Sequence, residues 1–313
     1  MTGPLAVAVA VVSFNTRETL RACLRSVASA NPAETIVVDN GSTDGSLEMV
    51  RSAFPHVTLR ANAGNCGYGA AANEAMAASS APVLLLLNSD TVIGADAVVA
   101  LGRYLVDHPQ AAIAGPRLAN ADGTLQRSTH PFPSAGDALL AETGLHHVVR
   151  RVPVLRERSW RTWSHDRARA VPWVLGAALA IRRSAFEAVG GFDQAFFMYL
   201  EEVDLCRRLH CAAFEVHFAP VTTVVHLGGA STACRGEAMQ RELVVSLGRY
   251  LRRHAAPTHA GRLLGVLRAV HRARLARDRL RMRLLPAGSA RQGLRDAIAA
   301  REALLDERGL WQP

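Results

Sequence analysis

Three short apolar runs near the start of the chain each break off into a cluster of small polar residues, and this recurrence constrains the fold more than any other feature. Residues 7–14 end at Asn15 and Thr16, residues 35–38 run into Asp39-Asn40-Gly41-Ser42-Thr43-Asp44, and residues 83–87 run into Asn88-Ser89-Asp90. Brief runs rich in branched aliphatics read as strands buried on both faces. After the first of them, Leu20, Cys23, Leu24 and Val27 recur at helical spacing, which predicts an amphipathic helix over 16–30. Residues 57–59 read as a weaker strand and 67–78 as a helix of small residues. This alternation predicts an α/β fold, a Rossmann-like and mostly parallel central sheet with helices on both faces. Ligands of such sheets bind beyond the carboxyl ends of the strands, so the three polar clusters are expected on one rim.

The chain has 313 residues, 49% of them hydrophobic, enough for one large core or two modest ones. Its longest apolar runs, 6–12 and 83–87, fall far short of the roughly 20 residues that cross a bilayer. No basic stretch precedes the first of them, so no signal peptide is expected. Cys23, Cys66, Cys206, Cys211 and Cys234 are odd in number and lack CxxC spacing. That pattern argues against a disulfide framework or zinc knuckle and fits a reducing cytoplasm.

All 36 basic residues are arginine. Twelve of them lie in 241–285 against only Glu242 and Asp278, so this segment carries ten net positive charges in a chain whose total is +9. The rest is close to neutral. Residues 1–240 therefore read as the main body. Residues 120–169, rich in His, Arg and Pro, read as irregular loops, and 241–313 as an Arg-rich helical segment. In that segment Leu263, Leu264, Leu267, Val270 and Leu275 share one helical face, Arg262, Arg268 and Arg272 the other, and Arg277 and Arg281 intrude on the apolar side. A packed helix with a solvated face and peripheral attachment to an anionic membrane both fit. Nucleic acid is not expected, because no aromatic stacking platform accompanies the charge.

Each polar cluster admits a structural and a chemical reading. Asp39 to Asp44 is composed like a tight turn. A carboxylate at a strand end can equally accept the N3–H of uracil or thymine. The glycine-rich stretch from Asn62 through Gly69, with Asn73 beyond it, suits a capped helix entry or a nucleotide-contacting loop. Asp90 suits the N-cap of a helix starting near Ala95, or a Mg²⁺ or Mn²⁺ ligand, because hard cations prefer oxygen. Glu201, Glu202 and Asp204 suit an acidic helix start on the surface. They suit equally a partly buried pocket wall carrying a general base, given the aromatic run Phe196-Phe197-Met198-Tyr199 ahead of them. His226, before a Gly-Gly turn, is structural or a metal or diphosphate contact.

Together, and in this order, the motifs resemble family-2 glycosyltransferases of the GT-A fold, in particular their bacterial rhamnosyltransferase-like branch, over residues 7–231. The resemblance implies that Ser13, Asn15, Asp39, Asn40, Gly41 and Ser42 hold the nucleoside, with Asp39 on the base. It also makes residues 1–240 a catalytic domain, with a nucleotide part over 1–118 and an acceptor part over 119–240. It places Asn62, Gly64, Gly67 and Asn73 in the nucleotide loop, Asn88 and Ser89 among the nucleotide-binding residues at the head of the metal motif, and Asp90 with His226 on a Mg²⁺ or Mn²⁺ ion. Trp173, Gly176, Ala177 and Arg208 fall on the sugar and acceptor side. Glu202 is the implied base, with Asp204 its rival and Glu201 beside them. Two positions depart from the family pattern: Asn88 stands where the metal motif has Asp, and Glu202 where the acidic motif has Asp.

The implied reaction is an inverting transfer from a dTDP- or UDP-sugar, such as a rhamnose or other deoxysugar donor. The acceptor is a hydroxyl of a glycan, a lipid-linked saccharide or a small-molecule glycoside, and the reaction runs in the cytoplasm or at the inner membrane face. The competing reading is a catalytically silent nucleotide-sugar-binding subunit or regulator. A nucleotidyltransferase would need a basic Gly-rich loop near the N-terminus, which this chain lacks.

Overall fold

The computed structural model describes residues 6–133, 165–228, 236–284 and 289–312. Compact packing divides the chain into two units, residues 1–132 with 160–233, and residues 133–159 with 234–313.

The first unit is built on one mixed sheet in the order β3-β2-β1-β4-β11-β6-β12-β5. Its amino-terminal half comprises β1 (Val7–Ser13), α1 (Arg17–Ser29), β2 (Glu34–Asp39), α2 (Ser46–Ala53), β3 (Thr58–Ala61), α3 (Tyr68–Ala77) and β4 (Val83–Asn88). These four strands run parallel, with Ser13 opposite Asp39 and Val12 opposite Asn88. The polar clusters that follow them therefore line one rim, as expected from the sequence. Side chains alternate between two cores. Val7, Val9 and Val11 join Leu20, Leu24 and Val27 of α1, whereas Ala8, Ala10 and Val12 join Ala71, Ala72 and Ala75 of α3. A period of two on a sheet covered on both faces produces this sorting.

Beyond β4 come β5 (Thr91–Ile93), α4 (Ala97–Asp107), β6 (Ala111–Ala119), β7 (Leu125–Gln126) and β8 (Thr129–His130). They are followed by β9 (Arg169–Ala170), β10 (Trp173–Val174), β11 (Ala178–Arg182), α5 (Arg183–Ala188), α6 (Glu201–Cys211) and β12 (Glu215–His226). Strand β11 enters antiparallel between β4 and β6, while β6 and β12 are parallel. The stretch read as loops over 120–169 thus contains the short strands β7, β8 and the start of β9, and its remainder, 134–164, lies outside the described residues.

Strand β5 overturns the helix-cap reading of Asp90, since α4 begins only at Ala97, after Asp96. Only Ser89 and Asp90 separate β4 from β5, and β5 pairs with the end of β12, His226 opposite Thr91. The register of β12 breaks between Phe218 and Thr223. That irregularity lets its last residues reach the carboxyl end of β4.

In the second unit α7 (Gly236–His254), α8 (Pro257–Leu284) and α9 (Ser289–Asp306) pack on one another. On α8 the buried positions are Ala260, Leu263, Leu264, Leu267, His271, Leu275 and Asp278, a seam at helical spacing. Arg277 and Arg301 pair with Asp278. Val270 is half-buried, and Arg262, Arg272, Arg277 and Arg281 face solvent. Among the described residues no helix is long and apolar enough to cross a membrane.

Candidate active site

The nucleotide rim is a network of turns. Asp39 is buried, and one of its oxygens accepts the Ser42 N–H at 2.8 Å. The other carboxylate oxygen is buried without a partner. Closing the turn consumes only half of the carboxylate and so leaves an oxygen for the binding reading of this loop. Asn15 has φ 52°, and its amide oxygen accepts the Thr43 N–H at 2.8 Å while its own N–H donates to Ser42 Oγ at 2.8 Å. Ser13, Thr16 and Ser89 share a hydroxyl chain, with Oγ–Oγ1 distances of 3.2 and 2.7 Å. Gly41, at φ 85°, lies against Gly64; a Cβ there would come within 2.7 Å of the Gly64 Cα.

Two asparagines expected to touch the nucleotide also brace the scaffold. The Asn40 amide donates to Asn65 Oδ1 (2.9 Å) and to the Gly67 carbonyl (3.1 Å), and its oxygen accepts from Cys66 N–H and Asn62 Nδ2. Asn73 clasps Phe192 from both sides, accepting its N–H at 2.9 Å and donating to its carbonyl at 2.8 Å. Asn40 thereby uses both amide hydrogens and both lone pairs within the loop, whereas Asn73 keeps one amide hydrogen and one lone pair. Asn62 points into the same network, toward Asn40 and Cys66.

Asp90 and His226 stand at the opposite end of the β4 rim, with Nε2 and Oδ1 3.3 Å apart and both side chains buried. His226 Nδ1 lies 2.8 Å from the Gln126 amide oxygen, which can only accept. In the neutral ring Nδ1 therefore carries the hydrogen, and Nε2 turns its lone pair toward the Asp90 carboxylate. In that form two acceptors face each other, an arrangement of one carboxylate and one imidazole that would suit a divalent cation such as Mn²⁺ or Mg²⁺. Among the described residues no cluster of three His, Cys, Asp or Glu side chains forms a metal cage.

The acidic helix α6 starts after two residues at positive φ, Tyr199 (66°) and Leu200 (68°), and buries all three carboxylates. Asp204, at 0% exposure, accepts Arg208 Nε at 2.7 Å, and Arg208 also donates to the Val189 carbonyl at 2.6 Å. Arg208, expected on the acceptor side, is thus bound into the helix. Glu201 and Glu202 each keep one carboxylate oxygen buried without a partner. Burial pushes both acids up from the usual carboxylate range, and the charge of Glu202 pushes Glu201 further. Glu202 is held by amide hydrogens, including that of Gly176, and its side chain lies alongside Gly176. Ala177 accepts the Asn88 N–H at 3.0 Å, and the Trp173 indole donates to Pro131 at 2.9 Å with its ring 5.2 Å from that of His130.

Three residues were not singled out from the sequence. Tyr68 sits in the Gly-rich stretch, yet a tyrosine there reads as core until its hydroxyl is located. Gln126 lies in a segment without periodicity. Thr16 belongs to the first polar cluster, but only the fold shows it bridging Ser13 and Ser89.

The glycosyl transferase family 2 model matches residues 8–190, more than half of the chain. An N-acetylglucosaminyl-diphospho-decaprenol L-rhamnosyltransferase of Mycobacterium tuberculosis is 32% identical over 223 residues, covering 66% of this chain and 70% of the relative. Rhamnosyltransferase WbbL of Escherichia coli is 43% identical over 56 residues, 18% of this chain and 21% of its own. In fold, the chain is similar to a mannosyltransferase of Pyrobaculum calidifontis solved with GDP-Man and Mn²⁺ (TM-score 0.53, 16% identity, 98% of this chain and 87% of that one). It is also similar to GalNAc-T7 solved with UDP, GalNAc and Mn²⁺ (TM-score 0.55, 16% identity, 78% of this chain but only 48% of that one). With its strand-end rim and buried acidic helix on a GT-A sheet, the chain belongs to glycosyl transferase family 2, in its rhamnosyltransferase-like branch.

Proposed function

We propose that the protein is an inverting transferase that moves a deoxyhexose, L-rhamnose foremost, from a dTDP- or UDP-linked donor to a hydroxyl of a lipid-linked saccharide. The observation that carries the reading is the buried Glu202, with one oxygen unpartnered, on the same unit as the free oxygen of Asp39 and the facing pair Asp90 and His226. Asp39 accepts the N3–H of the pyrimidine, and the Gly41–Gly64 contact keeps that loop's backbone close to the ribose. Asp90 and His226 would hold a divalent cation, which supplies charge neutralisation to the departing diphosphate. Glu202 takes the proton of the acceptor hydroxyl. The oxygen bonds to the anomeric carbon, the bond to the diphosphate breaks with its electron pair, and the configuration inverts. The raised proton affinity of Glu202 suits a base, since it strengthens proton capture near neutral pH.

The lipid-linked acceptor is proposed from the name of the mycobacterial relative. The exposed arginines of α8 would draw the enzyme to an anionic membrane surface. The alternative of a silent binding subunit is disfavoured by the presence of Asp90, Glu202 and His226, since a binding module has no use for two buried glutamates that each leave one oxygen without a partner. The test is a panel of dTDP-, UDP- and GDP-sugars with Mn²⁺, read by thermal shift and by release of the nucleoside diphosphate. Stabilisation and turnover with dTDP-rhamnose are expected; stabilisation without turnover of any donor, with or without a polyprenyl-diphosphate acceptor, would instead identify the silent subunit.

A further inference from the structure

Tyr68 touches, with its two ends, the two segments on either side of the acidic helix. Its N–H donates to the Phe197 carbonyl at 3.0 Å, in the turn that enters α6. Its hydroxyl donates to the Gly176 carbonyl at 3.0 Å. The residue before it, Gly67 at φ 91°, fits only because it lacks a Cβ, which would lie 2.5 Å from that same Phe197 oxygen. The ring packs edge-on against Phe192, at 6.3 Å and 84°. Gly176 is the residue whose N–H holds the Glu202 carboxylate and whose backbone lies alongside the Glu202 side chain. The Gly176 carbonyl thus receives the tyrosine hydroxyl, and its amide holds the glutamate.

We infer that Tyr68 is a positioning residue for the transfer, its hydroxyl fixing the Gly176 turn that orients Glu202 and linking that orientation to the nucleotide loop ending at Gly67. This inference rests on the reading of Glu202 as the base. The hydroxyl is suited to the task because it stays a donor at every working pH: burial, then the charges of Glu201, Glu202 and Asp90, push its ionisation well up. The ionisable groups around Glu202 are Glu201 and Cys206 on its own helix and Tyr68 on α3, with the Asp204–Arg208 pair farther along α6.

The experiment compares Tyr68→Phe, Glu202→Gln and the unaltered enzyme in full-length protein, reading turnover number, donor affinity by calorimetry, melting temperature and the pH profile of kcat/KM. Phe keeps the ring packing and the backbone hydrogen bond to the Phe197 carbonyl, so donor affinity is expected to hold and the melting temperature to fall by only a few degrees, the cost of one hydrogen bond. With the Gly176 turn released, turnover is expected to fall about ten- to a hundredfold, the range set by small misplacements of a catalytic group. The Gly176 amide favours the charged form of Glu202, so weakening it is expected to move the acid limb of the profile to higher pH. Unchanged turnover in Tyr68→Phe, or a loss of turnover with the acid limb unmoved, overturns the positioning role. Near-normal transfer by Glu202→Gln instead removes the base reading itself, whatever Tyr68→Phe does.

Discussion

Exchanging Glu202 for Gln and Asp204 for Asn separates the two carboxylates that the sequence left as rivals for the base, because the structure gives them opposite stability signatures. Asp204 is fully buried and paired with Arg208, whose side chain is 15% exposed. Neutralising it leaves a buried guanidinium undercompensated, at a cost of about 3 kcal/mol. At 2–4 °C per kcal/mol for a domain of this size, the melting temperature should drop by roughly 6–12 °C. Glu202 behaves in the reverse sense. Its folded-state proton affinity is raised, so the stability it contributes is complete below the usual glutamate range and is lost as pH rises through the raised value. At pH 7–8 Glu202→Gln should therefore melt higher than the unaltered enzyme, and at pH 4 the two should coincide. In transfer the order inverts. Loss of a positioned base costs two to four orders of magnitude, about 3–5 kcal/mol of barrier, in Glu202→Gln, with the donor Michaelis constant little moved. Asp204→Asn should keep most of its turnover below its lowered melting point. Single-turnover transfer at saturating donor, alongside scanning calorimetry at pH 4 and 8, measures both. A stable but inactive Asp204→Asn beside an active Glu202→Gln would move the base two residues along α6. Normal turnover in both would remove the base from this helix.

Asp90→Ala is expected to abolish Mn²⁺-dependent donor turnover while the protein still folds, and full turnover of this variant in EDTA would eliminate the metal from the mechanism. Asn73→Ala should lower stability by about 1–3 kcal/mol in chemical denaturation, because both polar groups of Phe192 lose their partner, yet leave donor affinity intact; a selective loss of nucleotide binding would restore the contact role read from the sequence. For the helical unit, deletion of α8 would remove the buried Leu263, Leu264 and Leu267, so Arg262, Arg277 and Arg281 should instead be exchanged together for Gln. Sedimentation with anionic liposomes should then fall and lose its salt dependence, and unchanged binding would refute membrane attachment through this face.

The sequence by itself determined the strands and the rim. Apolar runs that stop at Asn15, Asp39 and Asn88 can only be short buried strands with polar ends. Parallel pairing then leaves those ends side by side, so β1, β2 and β4 were legible from local pattern. The acidic helix was legible as a cluster, but not which member does what: three carboxylates within four residues look alike until Arg208, one turn on, is found to occupy Asp204. Helical spacing alone allowed that pair without requiring it. The asparagines were ambiguous for a related reason, since an amide's chemistry is the same whether it meets a nucleotide or a backbone, and only the fold brought Phe192 to Asn73 and Cys66 to Asn40. Strand β6, more than half Ala and Gly, and the short strands β11 and β5 carried no readable period. Yet β5 is what carries Asp90 to His226, 136 positions away in the numbering. That meeting depends on long-range pairing with the bent β12, a tertiary event that no local propensity encodes.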